Sequence, residues 1–429
     1  MFQTMRNAWN IPDLRKKMLF TVLIIVLYRF GAVLPVPFIS AELMRSLTSF
    51  TDGSIFQYFN ILSGDAFSRA TLFALSVSPY ITASIVIQLL TIAIPALERL
   101  SKDGEAGKKK INQITRYVTV GLALVTSYGY YMYIRSAVVA TTESGIFEGA
   151  VIIACYCAGS ALVMWLAEKI NEHGIGNGIS IILFANIVSS VPASFIRYVY
   201  SQSQTWAKIV VPLVIAVIAV LVITFVVFMT NAERRLPVQY AKKVVGRKMY
   251  GGQSTTLPIK LNMSGVMPII FANAIVSLPT TIAILFDQPE PGEFWYNVLN
   301  FFSYTSPFYS VMTFILIIAF AFFYIQISFD PIEVANNLKK NGGFILGIRP
   351  GKPTSDYIRK VLNKMTLIGA IFLGIIAVFP LVVNMCSGGT MSGIAFGGSS
   401  LLIVVGVILE TIREIEAQMT MRHYKGFLE

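Results

Sequence analysis

Ten apolar runs, separated by charged connections, constrain the fold of this 429-residue chain more than any other feature. Each falls within the roughly 17–25 residues that a helix needs to cross a bilayer. Only 13% of the residues are charged, 55% are hydrophobic and the mean hydropathy is +0.68, which excludes an ordinary soluble domain. The sequence therefore predicts an all-α polytopic membrane protein. Its ten predicted spans are 18–34, 75–95, 117–134, 150–167, 179–196, 209–230, 263–286, 309–329, 365–385 and 399–415.

The placement of lysine and arginine predicts the orientation of these spans. With the N-terminus inside, 28 of the 34 basic residues fall in cytoplasmic connections and tails, and five fall in external connections. The remaining one, Arg29, lies within the first span. The positive-inside rule therefore predicts that both termini are cytoplasmic.

One stretch, Ser54–Pro95, contains a segment that does not behave as a span. Its second half, from Leu75, is uncharged, but its first half is interrupted by Asp65 and Arg69 and by the helix-breaking pair Ser63-Gly64. Non-helical backbone that faces lipid leaves N–H and C=O groups unpaired. The first half must therefore fold back against other protein or line a water-filled cavity. An external loop with an amphipathic helix is the alternative.

The spans carry almost none of the ionisable residues that an enzyme or an ion-coupled transporter places at membrane depth. Arg29 and Glu410 are the exceptions, and we interpret Arg29 as structural, snorkelling or bonded to carbonyls. Both histidines, His173 and His423, lie in cytoplasmic segments, so no metal site or Ser–His pair forms within the membrane. We expect no catalysis, no cofactor and no metal ion.

Prolines within the apolar runs predict helix kinks. Each deletes one helical hydrogen bond: Pro79 in span 2, Pro268 and Pro279 in span 7, and Pro380 in span 9. Ordinary membrane-helix packing, in which proline and small residues are enriched, is the alternative interpretation.

Four long segments, in this order along the chain, carry a resemblance to a known family. They are LSGDAFSRATLFALSVSPYITASIVIQLL from Leu62, HGIGNGISIILFANIV from His173, QSTTLPIKLNMSGVMPIIFA from Gln253 and NLKKNGGFILGIRPGKPT from Asn337. With the span pattern, they make the whole chain resemble the SecY/Sec61-alpha family, the central subunit of the Sec protein translocase. The resemblance implies a channel and not an enzyme. It also implies two inverted five-helix halves, 1–208 and 209–429, around a central hourglass pore.

The resemblance assigns a plug to residues 54–71, here called the plug segment, which closes the external side of the pore. Asp65 and Ser76 depart from the family, because many relatives have glycine at both positions. The plug residues that the resemblance implies are Ser63, Gly64, Asp65, Ala66, Phe67 and Arg69.

The family's mid-membrane constriction is a ring of six bulky aliphatic side chains. Such a ring excludes water and ions by dewetting and makes no directional bonds to a passing polypeptide. The matching positions are Val77, Ile81, Ile179, Leu183, Ile270 and Ile403, of which Val77 and Leu183 depart from the commoner isoleucine. The resemblance also implies a lateral gate with the uncharged polar residues Thr82, Gln88, Asn262 and Asn273. For Asn273, simple packing within the bundle is an equal alternative.

Two long basic loops, 231–262 and 330–364, face the predicted cytoplasmic side. Apolar–polar alternation around Gly246 predicts a protruding hairpin in the first, and the turn sequence GIRPG displays Arg349 in the second. The resemblance implies that Arg247, Lys248 and Arg349 dock the ribosome, through its RNA, and the motor ATPase SecA. Topology signals and contacts with anionic lipid headgroups are the alternatives.

The resemblance thus implies a channel that translocates unfolded or nascent polypeptides across the bacterial plasma membrane and releases transmembrane segments sideways. The implied partners are SecE and SecG-like small membrane subunits, SecA, the ribosome, signal peptides, nascent chains and anionic lipids. Two alternatives remain open: a secondary transporter with broken helices, and an insertase or scaffold without a pore.

Overall fold

The structure is a computed structural model, and helices dominate it. It describes residues 2–40, 44, 60, 62–135, 138, 145–201, 207–240, 243–245, 248–250, 254–279, 298, 301–302, 306–386 and 392–425. The helices that precede residue 232 are α1 Phe2–Trp9, α2 Pro12–Gly31, α3 Ser78–Ala93, α4 Pro95–Lys102, α5 Gly104–Ile134, α6 Ile146–His173, α7 Gly178–Ser201 and α8 Ala207–Asn231. The later helices are α9 Met267–Val276, α10 Pro307–Ser328, α11 Pro331–Lys340, α12 Lys352–Cys386 and α13 Ser392–Lys425.

The long apolar runs form long helices because a helix pairs its own backbone N–H and C=O groups within one segment. In the described part of the chain, α6, the stretch Pro307–Lys340 and α12 are each long and apolar enough to cross a membrane. The bent pair α3–α4 adds a fourth candidate. Predicted span 263–286 runs beyond the described residues, so the described part of the chain does not contain all ten predicted spans in full.

The second predicted span differs from the expectation at both ends. Helix α3 begins at Ser78 and not at Leu75, and it ends at Ala93. The chain then turns by 105° into α4, which begins at Pro95. The residue before a proline avoids the helical region, which explains the break at Ile94, whose backbone is extended.

The kinks expected at Pro79 and Pro268 are wrong. Each proline occupies the first turn of its helix, α3 and α9 respectively. In that position the missing N–H has no helical partner to lose. Pro380, in contrast, lies inside α12 as expected.

The two basic loops meet in one antiparallel sheet. Strand β1 (Glu233–Tyr240) pairs with β4 (Ser254–Lys260) along its length and with β5 (Gly343–Ile345) at its far end. The short strands β2 (Lys243–Val245) and β3 (Lys248–Tyr250) pair between β1 and β4 in sequence. The hairpin prediction is therefore confirmed, and the joining of the second loop through β5 is an additional finding.

Alternation along β1 attaches this sheet to the rest of the protein. Leu236 and Val238 are buried, whereas Pro237 and Gln239 between and after them are exposed. The buried pair packs in one cluster with residues of α12, including Ile358. The sheet is thus fixed to a long helix and does not stand free.

The described part of the plug segment, from Leu62 onward, lies between two hydrophobic clusters. Leu62 and Ala66 belong to the larger cluster, which contains residues of α2, α3, α7, α9 and α13. Phe67 and Ala70 belong to a second cluster, formed with α5 and α6. Residues 54–59 and 61 of the plug segment lie outside the described residues.

Backbone geometry explains why glycine suits the two positions at which this chain departs from the resemblance. Asp65 has φ 68° and Ser76 has φ 50°, both in the left-handed region. A side chain there costs roughly 1–2 kcal/mol, and glycine avoids this cost. Ala70, with φ 49°, shares the same feature.

Candidate functional site

Four of the six predicted ring residues surround one cavity. Ile81, Leu183, Ile270 and Ile403 line a space of about 40 Å³, and all four are at least 94% buried. They come from α3, α7, α9 and α13, four helices that are distant in sequence. The space holds no more than a few water molecules. The arrangement is therefore a narrow, mostly apolar constriction.

The other two predicted ring residues lie in the same cluster but do not line the cavity. Val77 is 1% exposed and immediately precedes α3, and Ile179 is half-buried near the start of α7. Leu62 of the plug segment does line the cavity. The ring assignment remains a prediction, and the cavity is the observation that favours it.

Sequence reasoning missed part of the lining. Ser78, Ala274 and Ser277 also face the cavity. Ala274 and Ser277 stand four and seven residues after Ile270, which is the spacing of one helix face. Helical periodicity, counted from the predicted ring residues, was the signal that could have found them.

The plug residues form a compact turn that is bonded within itself. Asn60 donates from Nδ2 to Asp65 Oδ1 at 2.9 Å and accepts the Ser68 N–H on Oδ1 at 2.9 Å. Ser63 donates to the Asn60 carbonyl and accepts the Phe67 N–H, both at 3.0 Å. These bonds satisfy the polar groups of a non-helical segment, which burial otherwise penalises.

Four backbone carbonyls of this segment accept hydrogen bonds from side chains of four helices. Asn186 of α7 donates to Leu62 at 2.6 Å, and Arg29 of α2 donates to Gly64 at 3.4 Å. Tyr130 of α5 donates to Phe67, and Tyr156 of α6 donates to Ala70 at 3.3 Å. Arg29 is thus bonded to carbonyls, as interpreted from the sequence. Of the predicted plug residues, Ser63 and Ala66 are buried, and Arg69 is exposed.

The predicted lateral-gate residues are not bonded to one another among the described residues. Thr82 lines the cavity and donates to the Ser78 carbonyl of its own helix at 3.1 Å. Asn262 and Asn273 are both buried. Helices α3 and α9, which carry Thr82 and Asn273, pack against each other. This contact between helices distant in sequence is compatible with a gate, and the assignment remains a prediction.

The predicted docking residues lie partly outside the described residues. Arg247 is among the undescribed positions, and Lys248 begins β3. Arg349 is exposed, and its carbonyl accepts Thr354 Oγ1 at 2.8 Å. It stands between Gly347 and Gly351, whose φ angles of 79° and 106° form the predicted turn. Arg349 is therefore displayed to solvent, as the turn sequence indicates.

One basic side chain at the end of this sheet is perturbed. Burial lowers the pKa of Lys260, and the nearby positive charge of Arg413 lowers it further. Arg413 itself donates to the Thr230 carbonyl at 2.9 Å and to Asn231 Oδ1 at 2.8 Å. These contacts fix the end of α8 to α13.

The long apolar helices and the narrow, mostly apolar constriction are those of a helical membrane protein, and its fold is shared with solved protein-conducting channels. The chain is similar to a solved structure described as that of a protein conducting channel, with a TM-score of 0.65, 18% identity, and coverage of 94% of this chain and 92% of that one. It is also similar to Sec61 in the canine ribosome-channel complex from the endoplasmic reticulum. There the TM-score is 0.60 at 17% identity, with the same coverage.

Sequence comparison identifies the family within that class. The SecY family model matches residues 71–412. The protein translocase subunit SecY of Streptomyces galbus is 42% identical over 439 residues, which span 100% of both chains. The chain belongs to the SecY family. Membership in this channel family confirms the expectation that the chain is not an enzyme.

Proposed function

We propose that this chain is the channel-forming subunit of a bacterial protein translocase. It passes unfolded or nascent polypeptides across the plasma membrane and releases transmembrane segments sideways into the bilayer. The observation that carries this proposal is the narrow cavity lined by four aliphatic side chains from four helices and by Leu62 of the plug segment. An aliphatic constriction excludes water at rest and does not hold a passing chain by directional bonds.

The cavity lining also separates this function from its main rival. A secondary transporter places ionisable groups at its substrate site. The polar side chains that line this cavity are Ser78, Thr82 and Ser277, all uncharged. An uncharged, mostly aliphatic lining favours a passage for many different sequences over a selective site for one solute.

The remaining assignments follow from this function. The six ring residues form the constriction, and the plug residues close its external side. The lateral gate contains Thr82, Gln88, Asn262 and Asn273. The two halves are 1–208 and 209–429, and both termini are cytoplasmic. The sheet of β1, β4 and β5, with its basic loops, here called the basic sheet, binds the ribosome or SecA. Small SecE and SecG-like subunits complete the complex. Support comes from the charge asymmetry and from the similar Sec61 structure, which is that of a ribosome-channel complex.

Replacement of a ring isoleucine by asparagine tests the function. Ile81→Asn and Ile403→Asn each replace an aliphatic side chain of the mostly aliphatic lining with an amide, so water gains partners there. We expect the resting complex to pass small ions in a planar bilayer. The matched control is Ile358→Asn, at a fully buried isoleucine of the cluster that joins β1 to α12.

All three changes bury an amide and lower the stability by roughly 1–3 kcal/mol. Only the two cavity variants are expected to conduct. If Ile81→Asn and Ile403→Asn are destabilised and electrically silent, like Ile358→Asn, these side chains do not line a pore and the proposed function is wrong.

A further inference from the structure

A buried polar network closes around one carbonyl of the plug segment. The two protons of Asn186 Nδ2 are shared among three acceptors, the Leu62 carbonyl at 2.6 Å, the Tyr28 hydroxyl at 2.8 Å and Ser76 Oγ at 3.1 Å. The Tyr28 and Ser76 hydroxyls are 3.1 Å apart, and Ser76 Oγ is 3.4 Å from the same Leu62 carbonyl. Tyr28, Ser76 and Asn186 are each at least 98% buried. Hydrogen bonds in such a dry environment are strengthened.

Arg29 extends this network to the next residues of the plug segment. Its Nη1 donates to the Gly64 carbonyl at 3.4 Å, and its Nη2 donates to the Ala185 carbonyl of α7 at 2.5 Å. A Cβ atom at Gly64 would lie 2.7 Å from Nη1, so glycine allows this close approach. One guanidinium therefore joins the plug segment to α7. We call Tyr28, Arg29, Ser76 and Asn186 the polar latch.

The other end of the described plug segment is held differently. The Phe67 ring lies 4.6 Å from the Tyr130 ring, and Tyr130 meets Tyr156 edge-to-face at 5.0 Å. The two tyrosine hydroxyls bond the Phe67 and Ala70 carbonyls, but most of this contact is apolar burial. Loss of one hydroxyl leaves that burial intact. These residues do not line the cavity.

We propose that the polar latch sets how readily the channel opens, and that the plug segment swings about its Phe67–Ala70 end. This rests on the proposed function. Leu62 couples entry of a polypeptide into the cavity to release of the polar latch. Its side chain lines the cavity, and its carbonyl is the acceptor at the centre of the latch. A polypeptide that enters the cavity displaces Leu62 and so breaks the directional bonds of the latch. The aromatic contacts at Phe67–Ala70 tolerate rotation and persist.

Ser76 offers a test that separates a latch from a merely structural group. Ser76→Gly removes the hydroxyl and also relieves the left-handed backbone at φ 50°. The latch predicts that ion-channel openings of the resting complex in a planar bilayer become more frequent, on the order of tenfold, since several hydrogen bonds are lost. The melting temperature stays the same or rises. A structural role predicts no change in opening and a lower melting temperature.

Two tyrosine variants compare the two ends of the described plug segment, one at the polar latch and one at Phe67–Ala70. Tyr28→Phe removes a latch hydroxyl, and we expect it to raise the opening frequency as Ser76→Gly does. Tyr156→Phe is the matched control, because it removes one buried hydroxyl that bonds the other end of the same segment. We expect Tyr156→Phe to open as rarely as the unchanged complex.

Deletion of residues 60–68 distinguishes failure of the latch from failure of the proposed function. If the deletion variant conducts ions but Ser76→Gly and Tyr28→Phe open as rarely as the unchanged complex, the latch is wrong. Equal effects of Tyr28→Phe and Tyr156→Phe contradict the pivot at Phe67–Ala70. A deletion variant that never conducts overturns the channel itself.

Discussion

At the scale of single residues, glycine decides how closely the segment before α3 packs on α6. A Cβ atom at Gly159 would lie 2.1 Å from the Leu72 carbonyl oxygen, a distance that requires the backbone to move. Gly121 of α5 is different, because a Cβ there meets nothing within 4 Å. The two positions form a natural pair for testing the packing of this region.

Gly159→Ala should therefore destabilise the protein, whereas Gly121→Ala should not. Overpacking of this kind typically costs about 1–3 kcal/mol. Alanine at a compatible helix position instead stabilises by about 0.5–1 kcal/mol relative to glycine. Thermal unfolding of the purified complex measures both changes. Equal melting temperatures for the two variants would contradict the close packing of Leu72 on α6.

The ring and the latch show what the sequence reveals at this scale. Ile81 and Leu183 could be assigned because long motifs around them resemble a known family. Tyr28 and Asn186 could not, because a tyrosine or an asparagine in an apolar run is equally compatible with ordinary packing. Ser76 was noticed as a departure, but its three hydrogen bonds depend on helices that only the tertiary structure brings together.

At the scale of elements, the proposed docking role belongs to the sheet of β1, β4 and β5 and its basic loops. Arg349 stands on a glycine turn directly after β5 and is exposed. The positive charge attracts polyanionic RNA or an acidic protein surface, and the attraction weakens with salt.

Charge reversal at this turn tests that role. We expect Arg349→Glu to weaken binding to ribosomes or SecA and to lower protein export. Its effect on stability stays within about 0.5 kcal/mol, because the side chain is in water. Co-sedimentation at low and moderate salt measures the binding. Lys109→Glu, the same charge change at an exposed position of α5, is the control.

Unchanged ribosome and SecA binding by Arg349→Glu, together with normal export, would leave the loops as topology signals. A loss of binding as large for Lys109→Glu would show a general effect of net charge, which equally contradicts a specific role for the sheet.

The elements also differ in how well local sequence predicts them. Apolar length indicated the long helices, and alternation indicated the β1–β4 hairpin. The three-residue strand β5 was not predicted, because its pairing with Val238 joins positions about a hundred residues apart and leaves no local signal in the sequence. The true start of α3 was readable from Pro79, since proline favours the first helical turn.

At the scale of the whole molecule, α12 offers a test of orientation within one helix. It runs from Lys352 to Cys386, and 35 residues of helix extend about 52 Å, more than the hydrocarbon thickness. Cys386 is exposed at one end, and Lys352 is exposed at the other. The two ends should therefore lie on opposite sides of the membrane.

A membrane-impermeant thiol reagent should label native Cys386 only from outside intact cells. With Cys386 replaced by serine, Lys352→Cys should react only from the cytoplasmic side, in inverted vesicles. Cys155 and Cys157 are half-buried and are replaced by alanine in both proteins. Labelling of Lys352→Cys in intact cells would overturn the predicted orientation and the assignment of cytoplasmic partners.

The three-stranded sheet has a mechanical consequence. Strand β1 follows α8 after one residue, β4 precedes α9 by six, and β5 precedes α12 by six. Such short connections have little slack, and β1 ties all three through backbone hydrogen bonds. A load applied at either basic loop is therefore shared by three helices of the bundle. A partner that binds the sheet would therefore move these three helices together.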